Sequence, residues 1–466
     1  MNSNAPAPDP QHNFLLNGPL FSVMWRLSLP AIFAMVLYGM NAFMDTVYIG
    51  QLLNETALSG VALAYPLTSI MLGFGSWVGT GAGNYLSILL GKGDQQTLQK
   101  VLPNATLFTL VATLLFAIPA YYYAAPMLHL MGARGEIMEY GVRYFKITLL
   151  AAPLWVYALQ LNFIVRAEGK MYTAALIMAT GLVLNLILTP VLIIYSGMDV
   201  DGAAWATNAG MLLYCIVGHA YFVLGKASFV ANVNMVWYDR DVFMSIIKLG
   251  FPGFIMSLMA LIQAVVVFNA IVKVGTDSDL AFFAAANRIV LFLMTPLFGL
   301  MRALQPVEGV NYGARQFTRV RQSFWLFCRT GLALVFPFWV VLMLFPEFSI
   351  QLVLPDYVLQ SEDILNFRIY AAIIPFLPFV FMALTHLPAV NQPKFAGIVG
   401  VARQVVFYVP VMLLLPQWLG IKGIYVGATV IDVVITLWLA YIVYQSFQLM
   451  EQEKEMVIEE EEVVNT

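Results

Sequence analysis

Twelve runs of about twenty mostly apolar residues follow one another along this chain of 466 residues. Each run can cross a bilayer as a helix, because about twenty residues at ~1.5 Å rise span the hydrocarbon core. Sixty-one per cent of the residues are hydrophobic and 11% are charged, against roughly 25% charged in soluble proteins. We therefore predict an all-α integral membrane protein embedded in the lipid bilayer. The predicted spans 1 to 12 are 22–50, 57–90, 101–125, 137–165, 170–195, 202–225, 243–274, 280–310, 322–345, 364–390, 395–416 and 421–447.

The distribution of basic residues predicts how the chain is oriented. Loops on the side that holds both termini carry ten Lys and Arg residues, whereas loops on the other side carry three. Because cytoplasmic loops are enriched in basic residues, both termini should be cytoplasmic. The balance of 23 basic and 26 acidic residues gives no electrostatic footprint for nucleic acid as a partner.

The two halves of the chain repeat each other. Pro30 matches Pro252 and Gly91 matches Gly313, both 222 residues apart, and two weaker matches lie at offsets of 224 and 221. Six spans per half give both halves the same orientation, which makes a parallel repeat with a cleft between two lobes. The two prolines should also kink spans 1 and 7. The predicted segments are an N-terminal tail 1–21, lobes 22–225 and 243–447, a cytoplasmic loop 226–242, and an acidic solvated tail 448–466.

An ordered set of short motifs resembles the multidrug and toxic compound extrusion (MATE) family. The set comprises LSLPAIF and MDTVYIG in span 1, GTGAGNYLSILLGKGD after span 2, FIVRAEGK, LNLILTP, GAAWAT, and ALQPVEGVNYGARQ in span 8. The resemblance implies two six-helix lobes arranged as a V, and export of organic, often cationic, small molecules driven by inward proton or sodium flow. It implies a transporter rather than an enzyme, with no cofactor beyond the coupling ion. We expect a monomer in the plasma membrane, the inner membrane of a bacterium.

Asp45 is a carboxylate inside span 1. Placing an ionised Asp in hydrocarbon costs about 2.5–3.5 kcal/mol, so an acidic residue inside a span indicates a functional site. Its natural ligand is a cation or a proton. Helical rise places Asp45 about 29 Å above the inner end of its span, and Asn185 and Thr189 about 22 and 28 Å above theirs. Thr207 and Tyr144 lie one to two turns below the outer ends of spans 6 and 4. We predict that these five residues meet.

The predicted set contains one carboxylate. The family pattern has an acid where this chain has Thr189, which favours a protonatable Asp45 over a sodium site, although sodium at Asp45 stays open. Tyr38, Asn41 and Asp45 share a helix face, and Asn162 matches a polar family position near the inner end of span 4. We expect Tyr38, Asn41 and Asn162 to support the ligands.

The C-terminal lobe should lack a matching cation site, because Val267 stands at the repeat position of Asp45. Arg403 and Asp432 lie at equal depth on spans 11 and 12, which predicts a structural ion pair. The alternative for this pair is a second coupling site. Glu308, near the inner end of span 8, is expected to be a solvated residue at a gate.

The substrate cavity is predicted on span 7. Met256 and Met259 lie near Gln263 and Phe268, and methionines adapt to ligands of varied shape. The four histidines are scattered, without the spacing of a metal motif, so no metal site is expected.

Two other functions are compatible with parts of the sequence. A flippase for lipid-linked oligosaccharide or peptidoglycan precursors would need a strongly cationic central cavity, and few Arg or Lys residues lie deep in spans 1, 2, 7 or 8. A membrane glycosyltransferase could use the acidic motif Asp199-Val-Asp201 to hold a metal, but this loop is short and no catalytic domain is present.

Overall fold

The computed structural model describes residues 10–233, 238–354 and 357–465, and every regular element in these ranges is helical. Eleven helices are long and apolar enough to cross a membrane, and a bent helix pair supplies the twelfth, so the twelve predicted spans are confirmed. The spans, numbered as above, are Leu20–Leu52, Glu55–Lys92, Gln95–Tyr122, Gly135–Leu150 with Ala152–Ala167, Met171–Ile194, Asp199–Val223, Arg240–Val274, Asp277–Gly313, Phe317–Leu344, Ser361–Ala371 with Leu377–Ala389, Pro393–Val401 with Val409–Leu419, and Lys422–Asn465. Three short helices, Pro10–Asn17, Ala124–Leu130 and Pro346–Gln351, precede or connect them.

Span 4 is bent, and the sequence analysis did not foresee this. Its two helices meet at Ala151 with an angle of 55° between them. Pro153 follows the break directly and has no N–H to donate, which removes a backbone hydrogen bond at this point. Spans 1 and 7, where kinks were predicted, run as continuous helices through Pro30 and Pro252.

Two spans of the C-terminal lobe also depart from regular α-helix. Span 10 contains a short 3₁₀ segment at Ile374–Phe376, and span 11 contains a π-helical segment at Ala402–Tyr408. A π segment adds a residue to the turn and re-aims the side chains that it carries, and such segments are frequent at functional sites. In span 11 the re-aimed residues include Arg403.

Spans 2 and 7 join the two lobes through glycine contacts. A Cβ on Gly81 or on Gly250 would overlap backbone atoms of the opposite span, so the two helices approach as closely as backbones allow. Beside them, Trp77 Nε1 donates to the Ile247 carbonyl at 3.0 Å. The Trp77 ring stacks on Phe254 with centroids 4.6 Å apart. Close backbone approach and aromatic packing together fix this contact.

Spans 1 and 2 also contact span 8 through glycines. Gly91 lies against the Val310 carbonyl, Gly313 lies against span 2, and Gly299 lies against Ile32 of span 1. All of these positions fall in the halves of the spans nearest the two described termini. The lobes are therefore joined at this end of the bundle, which we call the terminal end.

The segment 226–242 connects the lobes, and its residues 234–237 lie outside the described part. Asp239 caps span 7 by accepting from backbone N–H groups, including that of Val242. It also binds Lys100 at 2.8 Å. The Lys100 ammonium, together with these backbone N–H groups, holds the pKa of Asp239 below its usual value. This carboxylate therefore ties the connecting segment to the N-terminal lobe.

The predicted acidic tail 448–466 continues the helix of span 12 to the last described residue. Glu451 and Arg321 form an exposed ion pair at 2.8 Å on the surface of this extension. Residues 1–9 of the predicted N-terminal tail and Thr466 lie outside the described residues.

Candidate functional site

A hydrogen-bonded cluster around Asp45 joins spans 1, 5 and 6. Asn41 Nδ2 donates to Asn185 Oδ1 at 2.7 Å, and Asn185 Nδ2 donates to Thr207 Oγ1 at 3.1 Å. Thr189 Oγ1 lies 3.5 Å from Asp45 Oδ1 and also donates to the Asn185 carbonyl at 2.9 Å. The structure thus joins four of the five residues that helical depth placed in one layer, and it adds Asn41, which shares a helix face with Asp45.

The side-chain amide of Asn185 can donate a hydrogen bond directly to Asp45. If its side-chain amide is rotated by 180°, the nitrogen lies 3.1 Å from Asp45 Oδ1 and the oxygen accepts from Thr207 Oγ1 at 3.1 Å. Asn185 and Thr189 are buried, whereas Asp45 is half-buried. No Lys, Arg or His side chain in the described ranges lies close enough to Asp45 to neutralise it. One carboxylate with neutral amide and hydroxyl neighbours is suited to a single proton or a hard cation.

Tyrosines surround this cluster. Tyr144 lies beside Thr207 and within electrostatic range of Asp45. Tyr65 of span 2, which the sequence analysis missed, is also within range of Asp45, and Tyr38 is within range of Tyr65. The sequence does place Tyr65 in the outer half of an apolar span, at the depth of the cluster. Depth alone, however, does not show which side of the helix a residue occupies.

Asn162 does not belong to the cluster. Its side-chain amide donates to the Ala174 carbonyl at 2.7 Å. Ala174 precedes Asn185 by eleven residues on span 5, which is about 16 Å along a helix. The prediction that Asn162 supports Asp45 is therefore wrong, because its amide joins spans 4 and 5 near the terminal end.

The structure contains an Arg403–Asp432 ion pair. Arg403 Nε and Nη2 both approach Asp432 Oδ1, at 2.9 and 2.8 Å. Arg403 Nη1 also donates to Gln263 Oε1 at 3.4 Å, so this predicted cavity residue joins the ion pair. The Arg403 side chain is 30% exposed, which leaves the pair accessible from one side. Val267, at the repeat position of Asp45, is buried.

The other predicted cavity residues lie on the same helix. Met256 and Met259 are half-buried, and Ser257 between them faces Gly73 of span 2. Phe268 is 39% exposed and meets Phe283 of span 8 edge to face. Their contact with a substrate stays a prediction.

Glu308 is buried, and the prediction that it is solvated is wrong. Its Oε2 lies 2.9 Å from His386 Nδ1, and both side chains are fully enclosed. His386 Nε2 lies 3.3 Å from Ser446 Oγ, and Phe324 packs against the ring. The partners come from spans 10 and 12, which sequence depth on span 8 does not reveal.

The acidic motif at the start of span 6 is occupied by an arginine. Arg143 of span 4 binds Asp201 through two nitrogens, at 3.1 and 2.8 Å, and lies 3.8 Å from Asp199. The described residues contain no group of three His, Cys, Asp or Glu side chains that could hold a metal. This geometry disfavours the glycosyltransferase interpretation.

Known proteins resemble this chain over almost its whole length. The MatE family model matches residues 30–191 and 252–414, two segments that begin 222 residues apart, as the internal repeat does. The multidrug export protein MepA of Staphylococcus haemolyticus is 25% identical over 459 residues, covering 97% of this chain and 100% of that protein. MepA of Staphylococcus aureus strain MRSA252 is 26% identical over 307 residues, covering 65% and 67%.

Solved structures share the fold. A crystal structure of MATE in the bent conformation superposes with a TM-score of 0.90 at 20% identity, covering 96% of this chain and 99% of that one. An outward-facing multidrug resistance MATE family transporter gives 0.86 at 21% identity, covering 95% and 99%. The two family-model matches and these superpositions confirm the predicted all-α fold of two repeated six-helix lobes.

Proposed function

This chain belongs to the MATE family, and on that premise we propose that it is a multidrug efflux transporter which exports organic, often cationic, compounds. The observation that carries the proposal is the end-to-end similarity to MepA, a multidrug export protein. The two repeated lobes are the machinery that alternating access requires, since one lobe can rock against the other around a central site.

We propose that export is coupled to inward movement of one cation through Asp45. Thr189 stands 3.5 Å from this carboxylate and adds no charge. A protonated Asp45 can donate to a neighbouring hydroxyl or amide oxygen, and an ionised Asp45 can accept from Thr189 or Asn185. The cluster therefore accommodates both protonation states, which favours proton over sodium as the coupling ion.

The proposed orientation places the terminal end in the cytoplasm of a bacterial cell. The excess of basic loop residues on this side supports it. The contacts of spans 2, 7 and 8 close the lobes at the same end. We infer that the structure represents a state closed toward the cytoplasm, and that opening inward requires spans 2 and 7 to separate.

A precursor flippase remains the second candidate. Arg166 and Arg302, both inside the bundle, lie within electrostatic range of each other, so the interior is more cationic than the sequence analysis indicated. The end-to-end similarity to MepA favours drug export over this alternative.

Ethidium uptake into inside-out vesicles tests the proposal. The fluorescent cation should accumulate when an acid-inside pH gradient is imposed, and an imposed sodium gradient alone should have little effect. Asp45→Asn should abolish accumulation at unchanged protein level, whereas Asp241→Asn, the same substitution at an exposed carboxylate, should not. Absence of transport under both gradients in the wild type contradicts drug export. Sodium-driven transport contradicts only the proton assignment.

A further inference from the structure

Arg166 carries a buried guanidinium that has no hydrogen-bond partner in the described part of the chain. Its side chain lies near the end of span 4 with 4% of its surface exposed. None of its three nitrogens has a hydrogen-bond partner among the described residues. The guanidinium makes a cation–π contact with Phe163, whose ring centroid is 3.9 Å from the guanidinium carbon. A buried charge that lacks a hydrogen-bond partner is strongly destabilising, so we expect a ligand to bind at this site.

A second guanidinium reinforces the first. Arg302 of span 8 is half-buried and lies within electrostatic range of Arg166, and Tyr214 of span 6 is within range of both. No described carboxylate lies close enough to either arginine to compensate its positive charge. Glu168, two residues beyond Arg166, instead binds the Ser228 N–H and Lys170.

Two neighbouring groups can also donate hydrogen bonds. The Tyr214 hydroxyl and Gln305 Nε2 are buried, and neither has a partner within the described ranges. Gln305 reaches the region beside Gly83, where an added Cβ would stand 2.9 Å from Gln305 Nε2 and 3.2 Å from the Phe163 carbonyl. Gln305 of span 8 and Phe163 of span 4 therefore meet where span 2 has no side chain, and the Arg166 guanidinium that lies over Phe163 has Arg302 and Tyr214 as electrostatic neighbours. Unsatisfied donors with net positive charge select an anion, since a cation or a neutral acceptor leaves the charge unbalanced.

We propose that Arg166, Arg302, Tyr214 and Gln305 form a binding site for one compact anion, which is either chloride or the carboxylate of an organic ligand. Guanidinium groups bind carboxylates through paired N–H donors and also bind halides. Arg302 is half-buried, so the site is not sealed on its side, whereas Arg166 is enclosed. The site is separate from Asp45, because Arg166 lies one residue from the terminal end of span 4, whereas Asp45 lies near the opposite end of span 1.

The anion binds to the purified full-length protein without any need for transport. In chloride-free buffer, the Tm is measured during titration with sodium chloride, sodium benzoate or sodium pyrophosphate. Chloride or benzoate should raise the Tm in a saturable way. Saturation by chloride alone identifies an inorganic anion, and saturation by benzoate alone identifies a carboxylate ligand. Failure of both to saturate overturns the proposal but leaves drug export untouched.

Substitutions separate this site from general salt effects. Arg302→Gln should weaken the apparent affinity about tenfold or more, because it removes a charge-assisted contact. Arg321→Gln, which removes an exposed arginine paired with Glu451, should leave the affinity unchanged. Equal weakening by both substitutions overturns the proposal, as does tighter binding of pyrophosphate than of either smaller anion.

Bromide provides a test that does not depend on folding of a variant. Crystals of the wild-type protein grown in sodium bromide should show an anomalous peak in contact with the guanidinium groups of Arg166 and Arg302. A bromide-containing crystal with no peak at these side chains rules out a halide, and together with a benzoate titration that does not saturate it overturns the proposal.

Discussion

Gly250→Ala should open the terminal end of the molecule. The added Cβ would stand 2.9 Å from both Gly81 N and Trp77 C, and still closer to the Trp77 carbonyl oxygen. Ordinary contacts of a Cβ begin near 3.4 Å, so spans 2 and 7 must move apart by at least half an ångström. Overpacking of this kind costs about 1–3 kcal/mol. Since the cost falls on the closed state, the equilibrium should shift toward the open state by about 5- to 150-fold.

Alkylation of a cysteine at this contact measures the shift. Ser87 is fully buried on span 2 and touches Gly309 of span 8, so Ser87→Cys should react only when the lobes separate. In protein lacking Cys215 and Cys328, its rate with N-ethylmaleimide should rise about 5- to 150-fold when Gly250→Ala is added.

Gly39→Ala is the matched control, because nothing lies within 4 Å of the Cβ that it adds. It should leave the alkylation rate unchanged. Gly81→Ala, on the other side of the contact, should act as Gly250→Ala does. Equal rates in the Gly250 and Gly39 variants would refute the reasoning that backbone contact between spans 2 and 7 holds the terminal end closed.

Three further predictions follow from the same geometry. A single coupling carboxylate should exchange one proton for one monovalent organic cation, which moves no net charge across the membrane. The accumulation ratio of the cation in vesicles should therefore change about tenfold per pH unit of the gradient and should not respond to a potassium-diffusion potential. Accumulation that depends on voltage contradicts this. Arg403→Gln should lower the free energy of unfolding by about 1–3 kcal/mol, against about 0–1 for the exposed Arg321→Gln, since the first pair is largely buried; equal losses in denaturant unfolding contradict this. His386→Ala should lower the Tm more than His129→Ala, because only His386 is enclosed with a carboxylate; equal Tm values contradict this.

The depth of individual residues in the membrane was predicted well from the sequence. Helical rise relates residue number to depth, so it placed Asp45, Asn185, Thr189 and Thr207 in one layer, and the structure joins them by hydrogen bonds. The internal repeat predicted two lobes because an even number of spans per half fixes their relative orientation. The family match at the same offset confirms the repeat.

Rotation about the helix axis was not predictable. Glu308 has the height of a gate residue, but it faces His386 within the lobe. Asn162 was assigned by its resemblance to a family position, although its amide turns toward span 5. Tertiary packing decides which face of an almost uniformly apolar helix is buried, because hydrophobic periodicity gives little signal in such a helix.

Local breaks were also missed. The bend at Ala151 and the π segment that carries Arg403 depend on how neighbouring spans satisfy the freed backbone groups. Prolines occur in many of these spans, so a proline alone did not indicate which helix bends. Arg166 was passed over because an arginine near the end of a span usually reaches solvent.

Proton release on drug binding tests the role of Asp45 most directly. Purified protein in weakly buffered detergent solution is mixed with tetraphenylphosphonium, and the pH is recorded with an indicator dye. If the drug and the proton compete through Asp45, the wild type should release up to one proton per molecule, and Asp45→Asn should bind the drug without release. Equal proton release from Asp45→Asn and the wild type would contradict the assignment of coupling to this carboxylate.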